Sequence, residues 1–291
     1  MRKERRRGGG AGFNNHAGFG WKRHPGKALV NTDKFKALVN TDKFDELSAR
    51  EKAIIAGLFL SKFDKEGLTA LGFKNFTEAF NVFGYCLGIK PNSLKNYRDE
   101  FDPLYPNKRT GRANRPIRDN CKKFYDDLRN YELESFSRLI QRFMEKNPGV
   151  PETGGQARNR ERDENLASRL VTGRAAEEYF KKRYQEEESF VNCEWEDTTE
   201  MGCGFDFKLI CASDIYRYVE VKGLSAKRGN ISLTEKEYSV ARKYGTKFCL
   251  FVVLNFIEEP YHKTYFDPLH GELSFHPQER QVTQISYQAS L

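Results

Sequence analysis

Four charged side chains in the second half of the chain have types and spacing that suit one chemistry, the handling of a divalent cation beside a phosphate. Tyr218-Val219-Glu220-Val221-Lys222 reads as a strand. Side chains alternate along a strand, so Val219 and Val221 share one face while Glu220 and Lys222 share the other. Taken alone, that is also the pattern of an amphipathic strand with a solvent-facing side. Asp206 sits within Gly204-Phe205-Asp206-Phe207-Lys208-Leu209-Ile210. There Phe205, Phe207 and Leu209 should point one way and Asp206 the other. If the two strands pair as a hairpin, Asp206 and Glu220 converge on one edge of the sheet. Two carboxylates so placed suit Mg2+ (or Mn2+), a hard cation that takes oxygen ligands. Lys222 beside them can position or deprotonate an attacking water and stabilise charge on a phosphate.

These residues need elements to bring them together. Ala176, Phe180 and Tyr184 mark the inward face of a helix that runs to about Glu188, and Glu177 lies on that face too. A carboxylate among packed apolar residues is costly unless it meets a cation or donors. A metal at the sheet edge would meet it; a border position open to solvent is the plainer alternative. Gly173, near the helix start, would permit close approach. Strands follow near 191–195, 205–210 and 215–222, then a helix from Glu235 to Lys243 and a strand from Lys247 to Leu254. One or two edge strands are expected after Pro260. The order predicts a mixed β-sheet flanked by helices over 161–291. Thr234 and Glu237 fit a capping box, a structural role that leaves Glu237 out of the catalytic set. The loop from Lys227 to Asn230 is basic and suits either a phosphate contact or a solvated turn.

From Gly173 to about Asn255 the sequence resembles the PD-(D/E)xK (restriction-endonuclease-like) nuclease superfamily, and within it the branch named for the C-terminal domain of the protein NO VEIN. The resemblance rests on a glycine-led helix with an inward Glu (Gly173, Glu177) and a Gly-aromatic-Asp strand start (Gly204, Phe205, Asp206). It continues with an EVK strand end (Glu220, Val221, Lys222), a helix opened by Glu237 and Tyr238, and a last strand from Phe248 to Leu254. It implies metal-dependent phosphodiester hydrolysis. Asp206 and Glu220 would be metal ligands, Lys222 would sit at the water, and Glu177 would complete the site.

The first half reads differently. Residues 1–44 comprise a basic arm and a duplicated segment, KALVNTDKF at Lys27–Phe35 and again at Lys36–Phe44. The arm to Gly26 lacks the apolar content to offset ordering and reads as disordered. A helical domain is expected over 45–146. Ser48 and Glu51 form a capping box. A helix from about Thr77 stops at Gly88, and another carries Leu94, Tyr97 and Phe101 inward and ends at Pro103. This pair resembles a helix-turn-helix. Its exposed face would offer Ser93, Lys95, Asn96 and Arg98 to phosphates or base edges. The adjoining loop brings Lys108, Arg109, Arg112, Arg115 and Arg118 with no acid between Asn107 and Arg118, a footprint for phosphate. Helices from Ile117 to Tyr131 and from Glu134 to Met144 complete the domain. Asn147 to Arg160, with two prolines and three glycines, reads as a linker.

Composition bounds the rest. The 291 residues are 38% hydrophobic and 31% charged, which suits a soluble two-domain protein with no membrane association. The net charge of +8 is concentrated in the arm, whose seven basic residues face only Glu4, so overall basicity says little about the folded part. Six cysteines without CxxC spacing read as small core residues in a reducing cytoplasm rather than as a zinc site. The five histidines lie in the arm and the tail with no metal-ligand spacing. The resulting expectation is a Mg2+-dependent endonuclease acting on double-stranded DNA, restriction-like, in anti-phage defence, and dimeric because two strands need two sites. Two alternatives stay open: a non-cleaving DNA-binding or regulatory protein that retains the fold, and an RNA-directed nuclease.

Overall fold

The computed structural model describes residues 47–144, 160–211 and 215–278, with side chains from 47–144, 171–211 and 216–278. The basic arm, the duplicated segment and nearly all of the expected linker lie outside the described residues. Among the described residues there are seven α-helices. Helix α1 is Ala49–Ala70, α2 Phe76–Cys86, α3 Pro91–Phe101, α4 Asp119–Leu128, α5 Leu133–Met144, α6 Arg160–Arg183 and α7 Glu235–Tyr244. Five strands follow the first six helices: β1 Glu194–Asp197, β2 Phe207–Cys211, β3 Ile215–Gly223, β4 Phe248–Leu254 and β5 Tyr261–Phe266. The layout is α+β, helices first and a mixed sheet after.

The helix starts follow their sequence signals. Ser48 and Glu51 make the reciprocal capping box at α1, and Asn75 caps α2. Within α1 the backbone breaks at Asp64, whose φ of 47° is left-handed. Apolar faces of α1, α2, α3 and α5 enclose Phe59, Phe83, Phe101 and Phe136, all almost fully buried. Burying each such ring stabilises the fold by about 2–3 kcal/mol before entropy is counted.

The sheet order is β1-β2-β3-β4-β5, antiparallel except between β3 and β4. The parallel pair needs a crossover, and α7 supplies it. One face carries Phe207, Leu209, Val219, Val221, Phe251 and Val253 toward the core, where Phe180 of α6 stacks on Phe207 with ring centroids 4.7 Å apart. The other face carries Tyr218, Glu220 and Lys222 beside Leu250, Val252 and Leu254. At the end of β3 the backbone comes so near α6 that a Cβ on Gly223 would stand 2.7 Å from the Thr172 carbonyl oxygen. The close approach therefore belongs to Gly223. Gly173, where the sequence suggested it, has open space around it.

The two halves share one core. Buried residues from α1 to α5 and from α6 and the sheet form a single apolar cluster. Polar contacts reinforce the joint. Asn81 Nδ2 donates to the carbonyls of Phe256 and Glu258 at 2.8 and 2.9 Å, and Ser225 Oγ donates to the buried Glu78 carboxylate. Cys193 and Cys211, expected as free thiols, form a disulfide beside the β1–β2 pair. Cys86, Cys121 and Cys249 are buried free thiols, as small core residues should be. Among the described residues no helix is long and apolar enough to cross a membrane.

Candidate active site

Asp206 lies one residue before β2 rather than within it. Its backbone is nonetheless fixed from both sides. Its N–H donates to Val219 O of β3 and its carbonyl accepts from Thr198 N just past β1, both at 2.9 Å. Gly204, at φ +90°, makes the turn that leads in. The turn also sends Phe205 away from Phe207. Phe205 packs on Tyr218, centroids 4.9 Å apart, on the opposite face of the sheet, which corrects the expected common side. The Asp206 side chain folds back so that Oδ2 accepts from Val221 N at 2.8 Å.

Glu220 and Lys222 project together from β3, as alternation requires. Glu220 is only 3% exposed. Lys222 Nζ donates to Glu220 Oε1 at 2.6 Å and to Glu237 Oε2 at 2.9 Å. Glu237 also closes the capping box of α7: Thr234 N donates to its Oε2 at 2.9 Å, and its own N–H donates to Thr234 Oγ1 at 3.2 Å. The sequence identified the capping role correctly, but nothing in the spacing places the same carboxylate on Lys222. That contact depends on how α7 lies over β3.

The electrostatics match this crowding. Burial, then the neighbouring Glu177 charge, push Asp206 up to about 7, against the pull of the Val221 amide and Lys222. Burial and then Asp206 push Glu220 up to about 9, against Lys222. Burial on its own would depress the Lys222 ammonium, but Glu220 and Glu237 more than offset it and hold it above the ordinary lysine value. Glu177 stands half-buried on α6 beside Ala176 and Phe180, close enough for its charge to bear on Asp206. The four sequence-selected residues and Glu237 thus lie in one electrostatic neighbourhood, four carboxylates around one lysine.

Oxygen donors with strongly disfavoured negative charge are a fitting environment for a hard divalent cation. Among the described residues, however, no three His, Cys, Asp or Glu side chains converge at metal-ligand spacing. Lys222 takes up part of the carboxylate charge instead.

The residues proposed for DNA contact divide into two groups. Arg98 is 7% exposed and stacks over Phe76 and Phe80, with its guanidinium 4.7 and 5.1 Å from the ring centroids. It also pairs with Asp99. Arg109 binds the fully buried Asp102 at 2.9 Å and Asp64 at 2.5 Å. Arg115 and Arg118 both bind the buried Glu100. The loop has no acids of its own, but Glu100 of α3, Asp102 at its C-cap and Asp64 of α1 supply them, and these arginines strap the loop to the helices. Arg98, Arg109 and Arg115, expected at phosphates, are thus engaged by acids of the chain itself. Ser93, Lys95, Asn96, Lys108 and Arg112 stay at or near the surface, with Lys95 on Asp99 and Arg112 on Asn96.

No curated protein and no solved structure matches the chain. Residues 174–266, just under a third of it, span Glu177, Asp206, Glu220, Lys222 and Glu237, and this segment matches the family model described as Protein NO VEIN, C-terminal, a PD-(D/E)xK-like domain family.

Proposed function

We propose that the chain is a Mg2+- or Mn2+-dependent endonuclease acting on double-stranded DNA. The observation that carries this reading is the placement of Lys222 between buried Glu220 and Glu237, with Asp206 tied to the same strand. Asp206 and Glu220 would hold the cation, with Glu177 completing the set. Once bound, the cation supplies Lewis-acid polarisation of a phosphoryl oxygen and offsets charge that builds there. Lys222 orients the attacking water and presents its ammonium to the phosphate. Val221 N–H keeps the Asp206 carboxylate turned toward β3. Burial of Glu220 removes competing solvent and strengthens each of these interactions.

Cleavage of plasmid and linear DNA with Mg2+, with EDTA, and with Lys222→Ala tests the reading. Cutting should need the metal, and Lys222→Ala should lower kcat by at least about 100-fold while DNA binding persists. Cutting that survives EDTA or the substitution would refute it. A homodimer, with one site for each strand, and a restriction-like role against phage DNA belong to the same proposal. Sedimentation on cognate DNA and phage plaque counts with Lys222→Ala test them.

One observation favours a second reading. Lys222 already neutralises part of the carboxylate charge, and no three-ligand cage is preformed among the described residues. A protein that binds DNA without cutting fits that arrangement. Tight DNA binding with no cleavage of unmodified, modified or phage DNA in Mg2+ or Mn2+ would select it.

A further inference from the structure

Helix α7 is docked on β3 at both ends. Near its C-terminus Tyr244 stacks on Tyr218, ring centroids 3.9 Å apart and 26° between planes. At its first turn Glu237 reaches Lys222 at 2.9 Å. Tyr218 and Lys222 lie four residues apart on the same strand face, a span of about 13 Å. Glu237 and Tyr244 lie seven apart on the helix, about 10 Å along its axis. The helix therefore lies antiparallel along β3, and the two contacts fix its position lengthwise. Ala241, between them, is 1% exposed, so the helix sits tight on its support.

The Glu237 carboxylate is fixed in turn. Its Oε2 accepts from both Thr234 N and Lys222 Nζ, while its backbone N–H donates to Thr234 Oγ1. A helix cap needs only the first and third of these bonds. The second is an additional contact that the cap does not require.

We infer that Glu237 is a positioning residue: it uses the capped start of α7 to hold the Lys222 ammonium in place, so that Lys222 does not rest on Glu220 alone. This rests on the nuclease reading and deepens it. Glu220 cannot fully serve a cation while it is the sole partner of Lys222. With Glu237 in place, Lys222 has a second carboxylate to stay on when Glu220 turns to a metal. Glu237 acts through Lys222 and is itself neither a ligand nor in contact with the substrate.

The test combines calorimetric Mn2+ titration of the metal-free full chain with cleavage kinetics. The variants are Glu237→Ala, Glu237→Gln and Thr234→Ala. Glu237→Ala should weaken Mn2+ binding by about 3- to 10-fold, because Lys222 then competes undivided for Glu220. It should also lower kcat by about 10- to 100-fold with KM for DNA nearly unchanged. Glu237→Gln keeps an oxygen acceptor for Lys222 and for the cap, and should recover most of both losses. Thr234→Ala removes the hydroxyl half of the cap but leaves the carboxylate, so it should lower Tm while leaving the Mn2+ affinity within about 2-fold. Three results would overturn the inference: unchanged Mn2+ binding and kcat in Glu237→Ala; matching losses in Thr234→Ala, which would reduce Glu237 to a helix cap; or a loss of Mn2+ affinity beyond about 100-fold, which would make Glu237 a ligand. A wild-type chain that binds Mn2+ without cutting DNA would sink the nuclease reading, and the titration would still report on Lys222.

Discussion

Asp206 and Glu220 are carboxylates whose ionisation the fold opposes, and that has a consequence for stability. An acid whose folded pKa stands above its unfolded value of about 4 destabilises the folded state as it ionises. Its contribution is fully present below about pH 4 and is lost as pH rises through the folded value, about 7 for Asp206 and about 9 for Glu220. The metal-free protein should therefore show a falling Tm between pH 5 and pH 8. Asp206→Asn should flatten that fall and raise Tm at pH 8 by several degrees; differential scanning calorimetry in EDTA reads both. A Tm that rises with pH in that interval would contradict the assignment. Much of this site was legible beforehand, because strand alternation places Glu220 and Lys222 on one face and β2–β3 pairing brings Asp206 to them. Glu237 was legible only as a cap. Its second role depends on the lengthwise position of a helix separated from β3 by a loop, and no local pattern encodes that.

Among the elements, the α3 region shows how a basic loop can be structural. Asp102 is fully buried and is held by Arg109, Arg98 and Ser61. Removing Arg109 would leave a buried carboxylate short of a partner. Arg109→Ala should cost about 2 kcal/mol, below the usual buried-pair range, because Arg109 is 24% exposed and Arg98, Ser61 and Asn107 remain on the carboxylate. Urea unfolding measures it. If the arginine served DNA instead, the same variant would lose DNA affinity at unchanged stability. The helices themselves were readable from capping boxes and apolar spacing. The pairing was not, since Glu100 lies 15 and 18 residues upstream of Arg115 and Arg118, and Asp64 lies 45 residues upstream of Arg109, separations that no local spacing encodes. Strand ends also shifted. β1 begins at Glu194 rather than Val191, because 188–190 forms a 3-10 turn that the apolar Phe190 and Val191 disguise as strand.

For the molecule as a whole, the helical half and the sheet half form one body, with Glu78 and Asn81 of α2 gripping the segments that follow β3 and β4. Asn81→Ala should destabilise the chain by about 1–3 kcal/mol by leaving two carbonyls without their donor. Its unfolding transition should stay single if the halves are cooperative, and a split transition would show that they are not. Reducing the Cys193–Cys211 disulfide, which closes a loop of 18 residues, should cost about 3 kcal/mol and lower Tm by several degrees, read by scanning with and without reductant. The central place of β3 carries one further implication, for hydrogen exchange. β3 is paired on both sides, by β2 and by β4, and α6 packs close on its end, where Gly223 meets Thr172 and Ala176. Its amides should be among the last to exchange, opening only with the whole molecule. Glu220 and Lys222 then ride on the most protected segment of backbone, while Asp206, outside its strand, sits where exchange begins sooner. Any adjustment of the site to a substrate would be made by the segment around Asp206, moving against a β3 and a docked α7 that do not yield.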